Sequence, residues 1–172
     1  GNLEGAKEIA LRVLRLAKDS CDDRHQVVGM AHGILGNVAL SQGRPDAAEG
    51  HLRQAVAVID ELRGPENSES ALYCAQLGGL LCARGSERYE EREYGSAIEV
   101  LTEGEGLLTR ALGGLDVQNS LVSSHRVVAT RCLTKSLHLR GLCHRMRGDL
   151  EASERDLRAA VALYPQAWGK ER

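Results

Sequence analysis

The sequence predicts an all-α protein built from antiparallel helix hairpins that repeat along the chain. Apolar residues recur at three- and four-residue spacing through most of the sequence, and this is the spacing of one face of an α-helix. Glycines separate the amphipathic segments, and small residues stand where paired helices would cross. A hairpin of two such helices cannot bury its own apolar faces, so we expect it to pack against copies of itself.

The clearest hairpin is predicted over residues 26–41 and 46–62, joined by the sequence Gln-Gly-Arg-Pro-Asp. Gly43 can take the left-handed conformation that ends a helix, and Pro45 suits the first turn of the next helix. Gly36 and Ala48 stand where the two helices should cross. The residues expected to face inward are Val27, Ala31, Ile34, Leu35 and Val38 in the first helix and Ala48, Leu52, Ala55, Val56 and Ile59 in the second.

Copies of this hairpin are visible as spaced glycines. Gly1, Gly43 and Gly85 are 42 positions apart, and Gly148 follows Gly85 by 63. Seven positions before three of these turn glycines stands another glycine, namely Gly36, Gly78 and Gly141. Five positions after three of them stands a small residue, namely Ala6, Ala48 and Ser153. The pattern predicts the same hairpin several times over.

With its Leu35-Gly36 and Leu77-Gly78 pairs, turn glycines, second-helix alanines and closing Pro165, the chain resembles the tetratricopeptide repeat. The spacing of 42 residues is similar to that of the long-repeat subclass found in kinesin light chains and related adaptor proteins. This resemblance implies an α-solenoid, in which the hairpins stack into a right-handed superhelix, and one domain over residues 1–172. Gly1 falls at a turn position, so we expect the chain to be a fragment of a longer protein.

The other helices follow from the same spacing. They are predicted over 3–18, 69–84, 94–112, 121–147 and 150–163. Ser68 or Ser70 is expected to cap the helix over 69–84, Asp149 to cap the last helix, and Pro165 to end it. The charged stretch 85–93 is interpreted as a solvated excursion or an extra helical turn. Further residues expected to face inward are Ala6, Ile9, Ala10, Val13 and Leu14 in the first helix and Leu150, Leu157, Ala160 and Val161 in the last.

Composition and charge exclude several functions. The formal net charge is −2, so no overall field favours nucleic acid or an anionic membrane. Residues 26–43 hold no Asp, Glu, Lys or Arg, yet polar residues interrupt them too often for a membrane span, and no membrane insertion is expected. The five cysteines are odd in number and form no CxxC pair, which favours a reducing compartment and a cytoplasmic location.

Residues that could carry chemistry are few. Cys132 and Cys143 share a helix face but lie about three turns apart, too far to hold one ion. His138 and His144 lack the i, i+4 spacing of a helical zinc motif. The glycines follow neither of the phosphate-binding patterns GxxxxGK and GxGxxG. We therefore expect no enzymatic activity, no metal and no cofactor.

The resemblance instead implies a binding surface, because the first helix of each repeat in this family lines a concave groove. Carried over position by position, the predicted peptide-binding residues are Met30, Asn37, Leu40, Leu72, Lys135, His138, Leu142 and Arg145. The Asn37 amide can both donate to and accept from a peptide backbone. Lys135 and Arg145 make the C-terminal half basic, which favours an acidic or phosphorylated segment there.

Two functions remain open at this stage. The first is an interaction scaffold or adaptor that holds a peptide or helical segment of a protein partner in its groove. The alternative is a regulatory, partner-sensing arm of a larger signalling ATPase or transcription regulator. Both rest on the resemblance, and this scaffold hosts many unrelated ligands.

Overall fold

The computed structural model describes residues 3–19, 26–115 and 120–169, and it confirms the all-α fold class. Seven α-helices account for almost all of these residues. They are α1 (Leu3–Asp19), α2 (Gln26–Ser41), α3 (Pro45–Arg63), α4 (Ser68–Glu90), α5 (Tyr94–Gly114), α6 (Ser120–Met146) and α7 (Leu150–Trp168). The chain forms two compact units, residues 1–74 and 75–172, with α4 passing from one to the other.

In the first unit, α2 and α3 form the predicted hairpin and α1 packs on α2. Gly43 at the turn has a φ of 66°, which confirms its predicted left-handed conformation, and Pro45 begins α3. Ala10 of α1 packs against Ala31 and Leu35 of α2. The first turns of α4 belong to this unit, and their cap is Asn67 rather than the predicted Ser68 or Ser70. The Asn67 side-chain oxygen accepts from the Glu69 amide at 2.9 Å, while Ser70 is buried and donates to Asp60.

In the second unit, α6 packs against both α5 and α7. Two clusters form its interior: Leu108, Ala129, Leu133, Leu137 and Ala160 in one, and Ala97, Leu101, Leu139 and Cys143 in the other. A buried polar group crosses the same interior. Arg140 of α6 binds Asp156 of α7 and also Thr102 and Glu105 of α5. These contacts set α6 and α7 side by side, which positions the site described below.

One helix crossing occurs in all three hairpins. A Cβ added to Gly36, Gly85 or Gly141 would lie 2.9, 2.4 or 2.8 Å from the nearest side-chain atom of Leu52, Leu101 or Leu157, respectively. Each glycine stands seven positions before a residue with positive φ and each leucine nine positions after it. These turn residues are Gly43, Arg92 and Gly148, with φ values of 66°, 63° and 84°. The three hairpins therefore share one register when counted from their turns.

This register corrects the assignment of Gly85 to a turn. α4 continues through Gly85 to Glu90, and Arg92 turns the chain. Residues 85–90 are thus extra helix, one of the two expected alternatives for the charged stretch. Because seven residues make about two helical turns, the added length keeps the same face inward. Gly78, seven residues before Gly85, meets Leu108 in the same way as Gly85 meets Leu101.

Five predictions of burial and one predicted helix end were also wrong. Ile9, Leu150 and Val161 were expected inside but are 65%, 67% and 73% exposed, because the buried stripe of each helix is narrower than the apolar pattern. Val27 and Ile34 are likewise at the exposed edge of α2. Pro165 does not end α7, which runs on to Trp168. The added turn is held by tertiary contact, since Ala167 is buried and its carbonyl accepts from Arg131 Nε at 2.9 Å.

Candidate functional site

An open groove of about 930 Å³ lies between α6 and α7 in the second unit. Its volume falls within the range of sites that hold small molecules and cofactors. The residues that line it are Arg131, Cys132, Thr134, Lys135 and His138 of α6 and Leu157, Ala160, Val161, Tyr164, Pro165 and Trp168 of α7. One wall is therefore polar and basic, and the other is almost wholly apolar.

The apolar wall is a stripe along α7 that the rest of this unit leaves uncovered. Val161 is 73% exposed, and Tyr164 and Trp168 are about half exposed. The rings of Tyr164 and Trp168 stack, with centroids 4.8 Å apart and planes inclined by 28°. Exposed aromatic and branched side chains that touch one another mark a surface suited to burial against a partner.

The basic wall follows α6. Arg131, Lys135 and His138 stand at i, i+4 and i+7, so they lie on one side of the helix, and all three are exposed. Arg131 is held by its bond to the Ala167 carbonyl, which fixes its stem across the end of the groove. The lining residues include no carboxylate to neutralise this side. Such a surface favours acidic groups.

Cys132 lies at the floor of the groove, close to Cys82 of α4. The Cys82 thiol donates to the Cys132 carbonyl at 3.5 Å. Burial raises the pKa of both thiols, and the positive charge of Lys135 opposes that rise in part. A raised pKa keeps both thiols protonated and weakly nucleophilic near neutral pH. Cys132 therefore contributes an unreactive, mainly apolar surface to the groove.

The structure brings two of the predicted binding residues, Lys135 and His138, together in this groove. Leu142 and Arg145 lie further along α6; Leu142 is half-buried and Arg145 is exposed in the last turn. Met30, Asn37 and Leu40 are exposed on α2, and Leu72 is half-buried on α4. These last four belong to the first unit, and the Asn37 carbonyl accepts from the Ser41 hydroxyl at 3.0 Å.

Sequence reasoning missed the whole α7 wall and Arg131. A signal was present, because the apolar residues of α7 cover more of the helix than one buried stripe needs. Leu157 and Ala160 are enough to form the buried stripe of α7. Val161, Tyr164 and Trp168 are therefore more apolar residues than the core needs. A surplus of that kind points to a second, uncovered apolar face.

In the first unit, polar contacts hold the first turns of α4 on the α2–α3 hairpin. They lie on the side of that hairpin that corresponds to the groove side of the α6–α7 hairpin. Gln26 donates to Glu69 at 3.0 Å, and Tyr73 lies over Gly33, where an added Cβ would come within 2.3 Å of its ring. Burial and the neighbouring Glu69 carboxylate raise the pKa of Tyr73 to about 12. Tyr73 therefore keeps its phenolic proton and can donate to Glu69, whose Oε1 is 3.5 Å away.

None of the helices that the structure describes is both long and apolar enough to cross a membrane. Within residues 3–19, 26–115 and 120–169, no three His, Cys, Asp or Glu side chains gather closely enough to hold a metal ion.

No protein-family model matches the chain, and no curated protein is significantly similar to it. Among solved structures, the chain is similar to BtubC (BKLC) from P. vanneervenii, with a TM-score of 0.54 and 16% sequence identity. The similarity covers 100% of this chain and 60% of that one. At this identity the likeness shows the fold, which is all-helical and repeat-like.

Proposed function

We propose that the chain is a protein-interaction module that binds a peptide segment in the groove between α6 and α7. The observation that carries the proposal is the pairing of an exposed apolar wall, centred on Val161, Tyr164 and Trp168, with the basic wall of Arg131, Lys135 and His138. Apolar area supplies affinity, and the charges select and orient the segment. The tetratricopeptide-like register of the hairpins is consistent with such a role.

The proposal includes an adaptor role without catalysis. Helical-repeat scaffolds present extended surfaces rather than closed pockets, and the groove is open along its length. Burial raises the pKa of the Cys132 thiol, the one thiol among the lining residues, and so keeps it protonated. Protein partners, a cytoplasmic setting and an acidic character of the bound segment are parts of the same proposal.

A peptide library displayed on phage, selected on the immobilised chain, tests this function. Selected peptides should lose binding to a Val161→Glu variant, which places a charge in the apolar wall. Val128→Glu is the matched control, because Val128 is 56% exposed on α6 and lies outside this groove. Binding should also change the emission of Trp168, the only tryptophan in the chain. Failure to recover any peptide sensitive to Val161→Glu would refute the proposal.

A further inference from the structure

The groove between α6 and α7 has two counterparts in the same chain. Counted from the turn residues Gly43, Arg92 and Gly148, its lining positions correspond to positions of the α2–α3 and α4–α5 hairpins. Arg131 corresponds to Gln26 and Ala75, Lys135 to Met30 and Gly79, His138 to Gly33 and Cys82, and Leu157 to Leu52 and Leu101. The shared glycine–leucine crossing shows that these positions occupy the same places in each hairpin.

In the α2–α3 hairpin these positions carry a helix. The first turns of α4 lie on them: Glu69 binds Gln26, Ser70 binds Asp60 and Tyr73 covers Gly33. Glu69 and Tyr73 are four residues apart, so both lie on the face of α4 that meets the hairpin. An acidic residue thus contacts the position that corresponds to Arg131.

In the α4–α5 hairpin the same positions carry α6. Cys132 of α6 meets Gly79 and Cys82, with its sulfur 3.7 Å from a Cβ added to Gly79. Ala129 and Leu133 pack on Leu108, and Arg126 donates to the Leu112 carbonyl at 2.5 Å. Two of the three equivalent surfaces are therefore each filled by an α-helix.

We infer that the occupant of the α6–α7 groove is an amphipathic α-helix with acidic residues along one edge of its apolar stripe. The inference rests on the proposed function and specifies its ligand. A helix follows from the two filled counterparts. We infer that the ligand is acidic from the charge of the surface that it covers. Arg131, Lys135 and His138 make this one surface basic, whereas the corresponding residues of the other two hairpins carry no formal charge; on α2 these are Gln26, Met30 and Gly33.

The filled counterparts also give the spacing of the ligand. The α4 residues at positions p and p+4 are Glu69 and Tyr73, the corresponding α6 residues are His125 and Ala129, and α6 adds Leu133 at p+8. We expect the ligand to carry Glu or Asp at p, beside Arg131, and apolar residues at p+4 and p+8, beside α7. A further acidic residue one turn from p would reach Lys135.

The test uses three synthetic 20-residue peptides and the emission of Trp168. The first has Glu at p, Leu at p+4 and p+8, and a side-chain staple on its outer face; the second replaces Glu by Lys; the third replaces the p+6 residue by Pro. The first should bind the full chain at least ten times more tightly than the other two. Lys135→Glu, which leaves the bond between Arg131 and the Ala167 carbonyl intact, should weaken the preference for the Glu peptide, while Arg155→Glu, an exposed position outside the groove, should not.

Other outcomes overturn the inference. Equal binding of the proline peptide, or library peptides that occupy the groove in an extended form, would leave the proposed function standing and refute a helical ligand. Unchanged charge preference in Lys135→Glu would refute the acidic edge. Self-association of the chain that Val161→Glu abolishes, measured by sedimentation, would assign the groove to a second copy instead.

Discussion

Arg140 and Asp156 form a bidentate ion pair in the interior of the second unit. Arg140 Nε is 2.6 Å from Asp156 Oδ2, and Nη2 is 3.0 Å from Oδ1. Both residues are less than 10% exposed, and the same guanidinium also reaches Thr102 and Glu105. One side chain of α6 therefore links α5 and α7, and it holds the two walls of the groove in register.

Removing one partner of this pair should be strongly destabilising. Asp156→Ala removes the bidentate partner of the buried Arg140 and leaves it only the Glu105 carboxylate, so we expect the free energy of unfolding to fall by at most about 3–5 kcal/mol. Replacing both partners, Arg140→Met with Asp156→Leu, should restore most of that loss. Urea titrations of the single and the double variant, compared with the wild type, measure both effects. Glu154→Ala, which breaks an exposed pair with Arg158, is the control and should cost less than about 1 kcal/mol.

Gly36 should not tolerate even one added methyl group. A Cβ at this position would lie 2.9 Å from Leu52 Cδ2, and overpacking of this kind costs about 1–3 kcal/mol. Gly36→Ala should therefore lower the melting temperature. Gly50→Ala is the control, because Gly50 lies in the exposed interior of α3 with open space around it. That change should stabilise the chain by about 0.5–1 kcal/mol, and equal effects at both sites would contradict the crossing.

The His32–His51 pair should make the first unit sensitive to acid. The two Nδ1 atoms are 3.1 Å apart, so one neutral ring donates to the other. Burial lowers the pKa of both rings. The neighbouring His51 lowers the pKa of His32 further, and the charge of Arg44 lowers the pKa of His51 further. Protonation therefore favours the unfolded chain. The stability that the neutral pair contributes is complete above pH 6.5 and is lost as the pH falls toward the lowered values.

Melting temperatures between pH 7.5 and 5.5 check this expectation. The wild type should lose stability over that window, and His32→Gln should lose less. His125→Gln, at an exposed histidine of α6, should behave as the wild type. A pH dependence identical in all three proteins would show that the pair does not control it.

Replacing Arg92 by glycine should stabilise the folded chain. It turns the chain with a φ of 63°, in the left-handed region where a side chain costs about 1–2 kcal/mol. Arg92→Gly removes that cost but gains entropy in the unfolded chain, so we expect a net stabilisation of about 0.5 kcal/mol. Arg92→Ala keeps the Cβ and should bring no such gain. Thermal unfolding of the two variants side by side separates the backbone effect from loss of the charge.

The sequence was sufficient for the helices and their pairing, because these depend on local spacing and on turn residues. The predicted bounds of α2 are those observed, and Asp149 caps α7 by accepting from the Ala152 amide at 3.0 Å. The turn after α4 was misplaced because two added helical turns keep the same face inward. Periodicity alone therefore does not show where such a helix ends.

Only part of the candidate site could be predicted from the sequence, and the reason is a different one. Lys135 and His138 follow from position on the first helix of a hairpin. Trp168 belongs to the groove only because α7 runs through Pro165, and the Ala167 carbonyl in that added turn accepts from Arg131. A contact between residues 36 positions apart has no local signature.

The extended α4–α5 hairpin shows that the length of a hairpin here can change in fixed steps. Gly78 and Gly85 are seven positions apart, as are Leu101 and Leu108, and both pairs make the same crossing. Seven residues fall about 20° short of two complete turns, so a step of this size scarcely rotates the helix. Shortening α4 by seven residues would give it the 16 residues of α2. Between a turn and a helix crossing, an insertion or deletion of another size would rotate the packed face away from its partner, so a step of seven residues is the one that keeps the crossing.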